Sequence, residues 1–290
     1  MNRPIALQHG LSGHALNAIR RDRLLLASSL LLALIVLAVI VGPWLSPHNY
    51  FDVDMNAVRL PPTFQDAHWF GTDALGRDIF VRTLHGGRIS LLVGVVSTIV
   101  SLVVGVAWGA TAGYLGGRVD HVMMRIVDVL YAVPFLFFVI LLMVMFGRDI
   151  LLIFVGIGVV NWLDMARIVR GQTLTLRQRE FVQAAEVMGA GRRRIIFRHI
   201  VPNLFGIVVV YAALAVPQVI LLESFLSFLG LGTQEPMTSW GALVHEGSQQ
   251  MGSTPWLLVV PATWLAVTLI CLNFIGDGMR DALDPRDGHR

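Results

Sequence analysis

The sequence contains no lysine: all 22 of its basic residues are arginine. The absence of lysine excludes a P-loop lysine and a Schiff-base lysine on this chain. The single cysteine, Cys271, excludes an intrachain disulfide and a multi-cysteine metal or iron–sulfur site. Charged residues make up only 14% of the 290 residues, against about 25% in an average soluble domain. Because so few charges cannot cover the surface of a soluble monomer, the composition predicts an integral membrane protein.

Apolar residues make up 55% of the chain and concentrate in six runs. A helix needs about 20 apolar residues to cross roughly 30 Å of hydrocarbon. The sequence therefore predicts an all-α integral membrane protein with six transmembrane helices, which leaves no room for a soluble catalytic domain. The predicted spans are Leu24–Gly42, a run within Ile89–Gly117, Ile126–Gly147, Ile150–Ala166, Asn203–Phe228 and Trp256–Gly276. The first run is too long for the apolar region of a signal peptide and lacks a small-residue cleavage site, so we interpret it as a retained span.

The distribution of arginine predicts that the N-terminus and the C-terminus are both cytoplasmic. In this orientation 17 arginines fall in inside segments and five in outside segments, as the positive-inside rule requires. The predicted map is a cytoplasmic tail (1–23), a first transmembrane helix (24–42), a periplasmic segment (43–88), a core transmembrane domain (89–276) with a cytoplasmic loop (167–202) and a periplasmic loop (230–254), and a cytoplasmic tail (277–290).

Prolines and one amphipathic stretch predict local geometry. Pro134, Pro217 and Pro261 lie within predicted spans, where each is expected to interrupt the helix. Residues Asp78–Leu84 predict a short amphipathic helix, either lying in the membrane interface or acting as a lid that meets a periplasmic partner.

Small residues recur at four-residue spacing in the second span. Gly105, Gly109 and Gly113 would let another helix backbone approach closely, which indicates helix packing.

The arginine-rich loop 167–202 is the most informative segment. A short helix, roughly Arg179–Met188, is predicted in its middle, and a second over Arg192–Ile200 ends at Pro202. An isolated helix of this length is marginal in water, so the first must pack on a surface. That surface is either a groove on another protein or the underside of its own helix bundle. Its apolar face is formed by residues at helical spacing, and a glycine stop follows: Phe181, Ala184, Ala185, Met188 and Gly189.

The loop resembles the EAA loop of permease subunits of binding-protein-dependent ABC importers. The resemblance rests on Gln183-Ala184-Ala185, then Gly189, then Ile200-Val201-Pro202. It implies that the loop enters a cleft of an ATPase subunit. Gln183 departs from the usual glutamate of the motif, which removes a charge. The residues that the resemblance implies for ATPase coupling are Glu180, Phe181, Gln183, Ala184, Ala185, Met188 and Gly189.

Three further motifs resemble the dipeptide, oligopeptide and nickel subfamily, and within it the C-type permease. They are Phe70-Gly71-Thr72-Asp73 with Leu75-Gly76-Arg77-Asp78, Gly87-Arg88-Ile89-Ser90-Leu91, and Leu226-Ser227-Phe228-Leu229-Gly230-Leu231-Gly232.

The resemblance implies a type I ABC importer permease fold in a bacterial inner membrane. It further implies an ATP-driven import subunit for di- or oligopeptides, or a similar small solute such as nickel or glutathione, working by alternating access. The expected partners are two ATPase subunits, a second permease subunit, a periplasmic substrate-binding protein and the lipid bilayer, without nucleic acid. No catalytic residue, metal or cofactor is expected on this chain, since ATP and Mg²⁺ would bind the ATPase subunits.

Carboxylates within the spans are candidate functional groups because burying charge in a bilayer is costly. Glu223 is a candidate pathway residue that contacts a peptide amino group, or alternatively a buried hydrogen-bonding group. Asp128 is expected to pair with Arg125, and Asp164 with Arg167, each at i,i+3 spacing.

Two rival functions are a self-contained secondary transporter or channel and a membrane-embedded hydrolase. The first needs intramembrane ions or half-helices for coupling, and mid-membrane charge is sparse. The second needs a nucleophile–base pair or metal ligands within the spans, and the sequence offers neither.

Overall fold

The computed structural model describes residues 23–64, 67–147 and 150–283, and these fold into helices without a β-strand among them. The predicted N-terminal tail lies outside the described residues except for Arg23, as do residues 284–290 of the predicted C-terminal tail. The helices are α1 (Arg23–Leu45), α2 (Ile79–Leu115), α3 (Gly117–Ala132), α4 (Phe135–Phe146), α5 (Ile150–Arg177), α6 (Glu180–Val187), α7 (Arg192–Ile195), a π-helical turn (Ile196–Ile200), α8 (Val201–Phe228), α9 (Trp240–Gln249) and α10 (Trp256–Leu283).

Four helices within the described residues are long and apolar enough to cross a membrane, or five if the bent pair α3–α4 forms one span. The four are Arg23–Leu45, Ile79–Leu115, Arg192–Phe228 and Trp256–Ala282. The predicted fourth span is the first part of α5, which continues to Arg177. The all-helical class is therefore confirmed, whereas the count of six spans and the orientation of the termini stay predictions.

Helix α2 begins before the predicted second span and contains the predicted short helix. Asp78 caps it, accepting a 2.9 Å hydrogen bond from the backbone N–H of Val81, and the helix then runs unbroken to Leu115. The prediction of a separate amphipathic helix over Asp78–Leu84 is therefore wrong. Gly86 and Gly87 lie within this continuous helix, and Trp240 packs directly against them. A Cβ on Gly87 would lie 2.7 Å from Cζ2 of the Trp240 ring.

The glycine stripe of α2 packs against α5, as predicted. A Cβ on Gly105 would lie 2.6 Å from Cβ of Met165, and one on Gly113 would lie 2.8 Å from Cβ of Thr173. Since these distances are shorter than van der Waals contact, the close approach of the two backbones depends on glycine.

The three membrane prolines differ in effect. Pro134 follows the end of α3, where Val133 is forced into an extended conformation, and the pair α3–α4 bends by 84°. Helices α8 and α10 continue through Pro217 and Pro261. The predicted interruption therefore occurs at one proline of three.

Pro202 does not end a helix either. The chain is helical from Arg192 to Phe228, with the π-helical turn just before Pro202. In this turn the N–H of Val201 bonds to the carbonyl of Ile196, five residues back. Such a widened turn accommodates a proline ring that would otherwise clash with the preceding turn.

Candidate functional site

Helix α6 is a short, sharply terminated helix in the arginine-rich loop. Its C-terminus carries both bonds of a Schellman motif: Gly189 N–H to the Glu186 carbonyl at 2.9 Å, and Ala190 N–H to the Ala185 carbonyl at 3.0 Å. Gly189 has φ +80°, a conformation that L side chains rarely adopt. The predicted stop at this glycine is therefore where the helix ends.

One side of α6 is fixed to the protein. Val182 and Ala185 are buried and pack in a cluster with Val169, Ile195 and Ile200, which lie on α5, α7 and the π-helical turn. Sequence reasoning missed Val182, although its i,i+3 spacing from Ala185 is a signal that the two share a face.

The other side of α6 is open. Met188 is 79% exposed and Val187 is 89% exposed, and Phe181 and Ala184 are exposed as well. The predicted apolar face is thus divided, because the structure places Ala185 inward and the other three members outward. We call Phe181, Ala184, Val187 and Met188 the α6 surface. Glu180 and Gln183 are also exposed, and Gln183 Nε2 donates to the Gln178 carbonyl at 3.4 Å.

A tyrosine joins α6 to the end of α2. The hydroxyl of Tyr114 donates to Oε1 of Glu186 at 2.9 Å. The guanidinium of Arg177 lies 5.9 Å above the centre of the Tyr114 ring. Sequence reasoning missed this link because residues 72 positions apart leave no local signal.

Glu223 is fully buried and lies among serine hydroxyls. Its carboxylate accepts from Ser227 at 2.6 Å and from Ser90 at 3.2 Å. Ser90 in turn accepts from the N–H of Trp240 at 3.2 Å, so the cluster joins α8, α2 and α9.

A buried charge network ties the segment before α2 to the region around α9. Arg82, 1% exposed, donates to Asp73 at 2.5 Å and to Glu246 at 2.9 Å. Arg77 donates to Asp73 at 2.6 Å and to Glu235 at 2.8 Å. Burial by itself lowers the pKa of Arg77, but its hydrogen bonds and the nearby carboxylates outweigh this and raise that pKa above its ordinary value. The sequence motif located Asp73 and Arg77, while their distant acidic partners gave no signal.

His48, His68 and Asp78 are the group within the described residues that could hold a metal ion, with donor atoms within 4.8 Å of one another. His68 Nδ1 lies 2.9 Å from Oδ2 of Asp78, whose other oxygen caps α2. The two imidazole rings are stacked at 4.3 Å with 17° between their planes. Stacked rings cannot direct in-plane lone pairs at one ion, so the arrangement fits a hydrogen-bonded helix cap better than a metal centre.

Two family models match this chain and show the family to which it belongs. Residues 105–287 match the model of the binding-protein-dependent transport system inner membrane component, and residues 11–62 match the N-terminal transmembrane domain of oligopeptide transport permease C. The chain belongs to this permease family. Like other members it is a multi-pass inner-membrane protein, and the resemblance drawn from the loop and the three motifs is confirmed.

Several named permeases are similar over nearly the whole chain. The oligopeptide transport system permease protein OppC of Escherichia coli strain K12 is 58% identical over 266 residues, covering 92% of this chain and 88% of the relative. OppC of Haemophilus influenzae is 56% identical over 267 residues, covering 92% and 86%. The dipeptide transport system permease protein DppC of Bacillus subtilis is 44% identical over 269 residues, covering 92% and 83%.

A solved structure shows the same fold. A chain of the inward-facing MetNI methionine ABC transporter superposes with a TM-score of 0.54 at 18% identity, covering 69% of this permease and 95% of that chain.

Proposed function

We propose that the chain is a permease subunit of an ATP-driven type I ABC importer that takes up di- or oligopeptides. The family match supports the role of permease, and the relatives named for oligopeptide and dipeptide transport support the substrate class. ATP and Mg²⁺ would bind on two partner ATPase subunits. A second permease completes the pathway, and a periplasmic binding protein delivers the peptide.

The α6 surface is the main structural observation in support of this proposal. Val182 and Ala185 pack α6 against the protein, while Phe181 and Met188 stay exposed on the loop that is predicted to be cytoplasmic. Apolar side chains presented on a firmly held helix fit a groove on a partner, as in helix-in-groove recognition. Movement of the ATPase subunits would be transmitted to the permease through the α6 surface.

The experiment compares two matched charge insertions in the assembled importer. Met188→Glu places a charge on the α6 surface, whereas Gln183→Glu adds a charge at an exposed position where relatives of the motif carry glutamate. We expect Met188→Glu to abolish co-purification of the ATPase subunits and Gln183→Glu to retain it. If both variants retain the ATPases and import peptide normally, the coupling role of α6 is wrong.

Import by proteoliposomes separates this proposal from a self-contained secondary transporter or channel. An ABC importer requires internal ATP and the binding protein, and it is indifferent to a collapsed ion gradient. Uptake that persists without ATP would establish the rival function: a secondary transporter would then stop on addition of an ionophore, whereas a channel would not.

A further inference from the structure

Helix α3 carries a polar stripe although it belongs to the pair α3–α4 that is apolar enough to cross a membrane. His121, Arg125 and Asp128 recur at spacings of four and three residues, which places them on one side of the helix. All three are exposed, and of the residues of α3 only Asp120 and Val127 are buried. A charged stripe cannot face hydrocarbon at low cost, so it must face water or protein.

The stripe borders a cleft of about 700 Å³ between α3 and α5. Asp128 and Arg167 face each other across this cleft, joined by a 2.9 Å ion pair while their side chains stay 55% and 43% exposed. Asp128 therefore pairs across helices rather than with Arg125, its predicted partner. Arg125 lines the same cleft, with no carboxylate within 4.0 Å among the described residues.

A second, apolar cavity of about 270 Å³ lies beside the α3–α4 bend and is lined by residues that include Leu130, Pro134 and Leu163. Tyr131 lines the apolar cavity and contacts Arg167, which lines the charged cleft: the hydroxyl of Tyr131 donates to Asp164 at 3.0 Å, and the Arg167 guanidinium lies 4.4 Å above its ring. Asp164 is thus bound by Tyr131 rather than by its predicted partner Arg167. The charged cleft and the apolar cavity are lined by successive stretches of the chain from Asp120 to Phe138 and by α5, and we call the two together the groove.

The charged end of the groove lies near α6. Asp120 and Arg170 form a bidentate pair there at 2.5 and 2.6 Å, and α5 continues from Arg170 to Arg177, three residues before α6 begins. If α6 meets the ATPases, this end faces the cytoplasm.

We infer that the groove is the water-filled inner part of the translocation pathway, and that Arg125 offers its unpaired cation to the carboxylates of a passing peptide. Three observations support water rather than a covering protein. Arg170 and Arg167 already neutralise the charges of Asp120 and Asp128, the Asp128–Arg167 pair remains about half exposed, and Arg125 is left without a carboxylate partner among the described residues. The inference rests on the proposed function, which it deepens by naming the pathway wall.

Cysteine labelling tests the inference directly, because the chain has one cysteine and it is buried. In a Cys271→Ser background, Arg125→Cys places a thiol in the stripe. Ile126→Cys is the matched control, since Ile126 is 43% exposed at the same depth but about 100° around the helix. His121→Cys is a second stripe position should Arg125→Cys fail to assemble.

The assembled complex in inside-out vesicles is treated with a charged, membrane-impermeant methanethiosulfonate, and modification of this chain is followed by mass. We expect the stripe thiol to react about tenfold or more faster than the control, and to slow about tenfold when ATP and vanadate lock the ATPases, as a shift between two accessibility states predicts. Equal slow rates would mean that lipid or the second permease covers the stripe. Equal fast rates would mean that water reaches the control face of α3 as readily as the stripe. Either outcome overturns the inference.

The parent Cys271→Ser complex separates the two proposals. If it imports peptide with ATP while the stripe thiol stays unreactive, only the pathway assignment fails. If it does not assemble with ATPases or import peptide although the natural sequence does, the substitution is at fault and Cys271, being buried, is retained for the labelling. If the natural sequence itself does neither, the proposed function fails.

Discussion

The hydroxyl of Tyr114, at the end of α2, bonds to the carboxylate of Glu186, which lies on α6. This bond connects α6 to a 37-residue helix whose N-terminus is capped by Asp78. The glycine stripe packs the same helix against α5. Motion of α6 therefore has a direct hydrogen-bonded route into the helix bundle.

Removing this bond is expected to weaken coupling without removing the ATPases. Tyr114→Phe keeps the ring beneath Arg177 but loses the hydroxyl, and a hydrogen bond to a charged group contributes about 1.5–3 kcal/mol. We expect less peptide imported per ATP hydrolysed in proteoliposomes, with normal co-purification. Tyr211→Phe, on α8, is the control and should leave the amount of peptide imported per ATP hydrolysed unchanged. An unchanged ratio in Tyr114→Phe would show that the bond has no part in coupling.

Glu223 is expected to act in stability rather than in recognition. Glu223→Leu would leave the hydroxyls of Ser90 and Ser227 without their acceptor, at about 1–3 kcal/mol for each unsatisfied group. Glu223→Gln keeps an acceptor oxygen and should be milder. The measurement is thermal unfolding in detergent, followed by a thiol-reactive dye that reads exposure of the buried Cys271. Should Glu223→Gln abolish import at unchanged stability, Glu223 would instead belong to the pathway.

The charge network before α2 should respond very differently to two substitutions. Arg82→Ala removes the more deeply buried of the two arginines that pair with Asp73 and Glu246, and because Arg77 remains beside both carboxylates the expected cost lies at the lower end of the about 3–5 kcal/mol for breaking a buried ion pair. Glu235→Ala removes a side chain that is 63% exposed and should cost at most about 1 kcal/mol. The thermal unfolding midpoints of the two variants are compared by the same assay of Cys271 exposure. Similar midpoints for the two variants would mean that solvent screens the whole network.

Two glycines beside α6 form a matched pair. Gly189 has φ +80° and Gly191 has φ −64°, while neither has a neighbouring atom within 4 Å of an added Cβ. Gly189→Ala should therefore cost about 1–2 kcal/mol through backbone strain at the end of α6, whereas Gly191→Ala, at the N-cap of α7, carries no such strain and should leave α6 unchanged. The rate of backbone amide hydrogen exchange in α6 should rise in Gly189→Ala only. Peptide import should fall in the same variant. Equal exchange in both would mean that the Schellman motif does not stabilise α6.

Local signals in the sequence predicted the helices and much of the loop. The predicted helix Arg179–Met188 is observed as Glu180–Val187, because its apolar spacing and its terminating glycine both act within one or two turns. The glycine stripe was equally readable, since small residues every fourth position have one main use in a membrane helix.

Long-range partners were not predictable from one sequence. The i,i+3 spacing suggested that Asp128 pairs with Arg125, yet Arg167 approaches from α5 and forms the ion pair. Glu246 lies 164 residues from Arg82, and no pattern of spacing connects them. Pro202 suggested a helix end, but a π-helical turn accommodates it. In each case tertiary packing decided between arrangements that local spacing left equally open.

The continuity of Arg192–Phe228 has a mechanical consequence. At 1.5 Å per residue this 37-residue helix is about 55 Å long, and it joins the turn after α6 to the serine cluster around Glu223. The helix runs on through the π-helical turn at Ile196–Ile200 and through Pro217, so it can act as a lever arm. A tilt of about 10° around its α6 end would move the far end by about 10 Å, which is comparable to the diameter of a helix. A small tilt at the end next to α6 would thus become a displacement as wide as a helix at the end that carries Glu223.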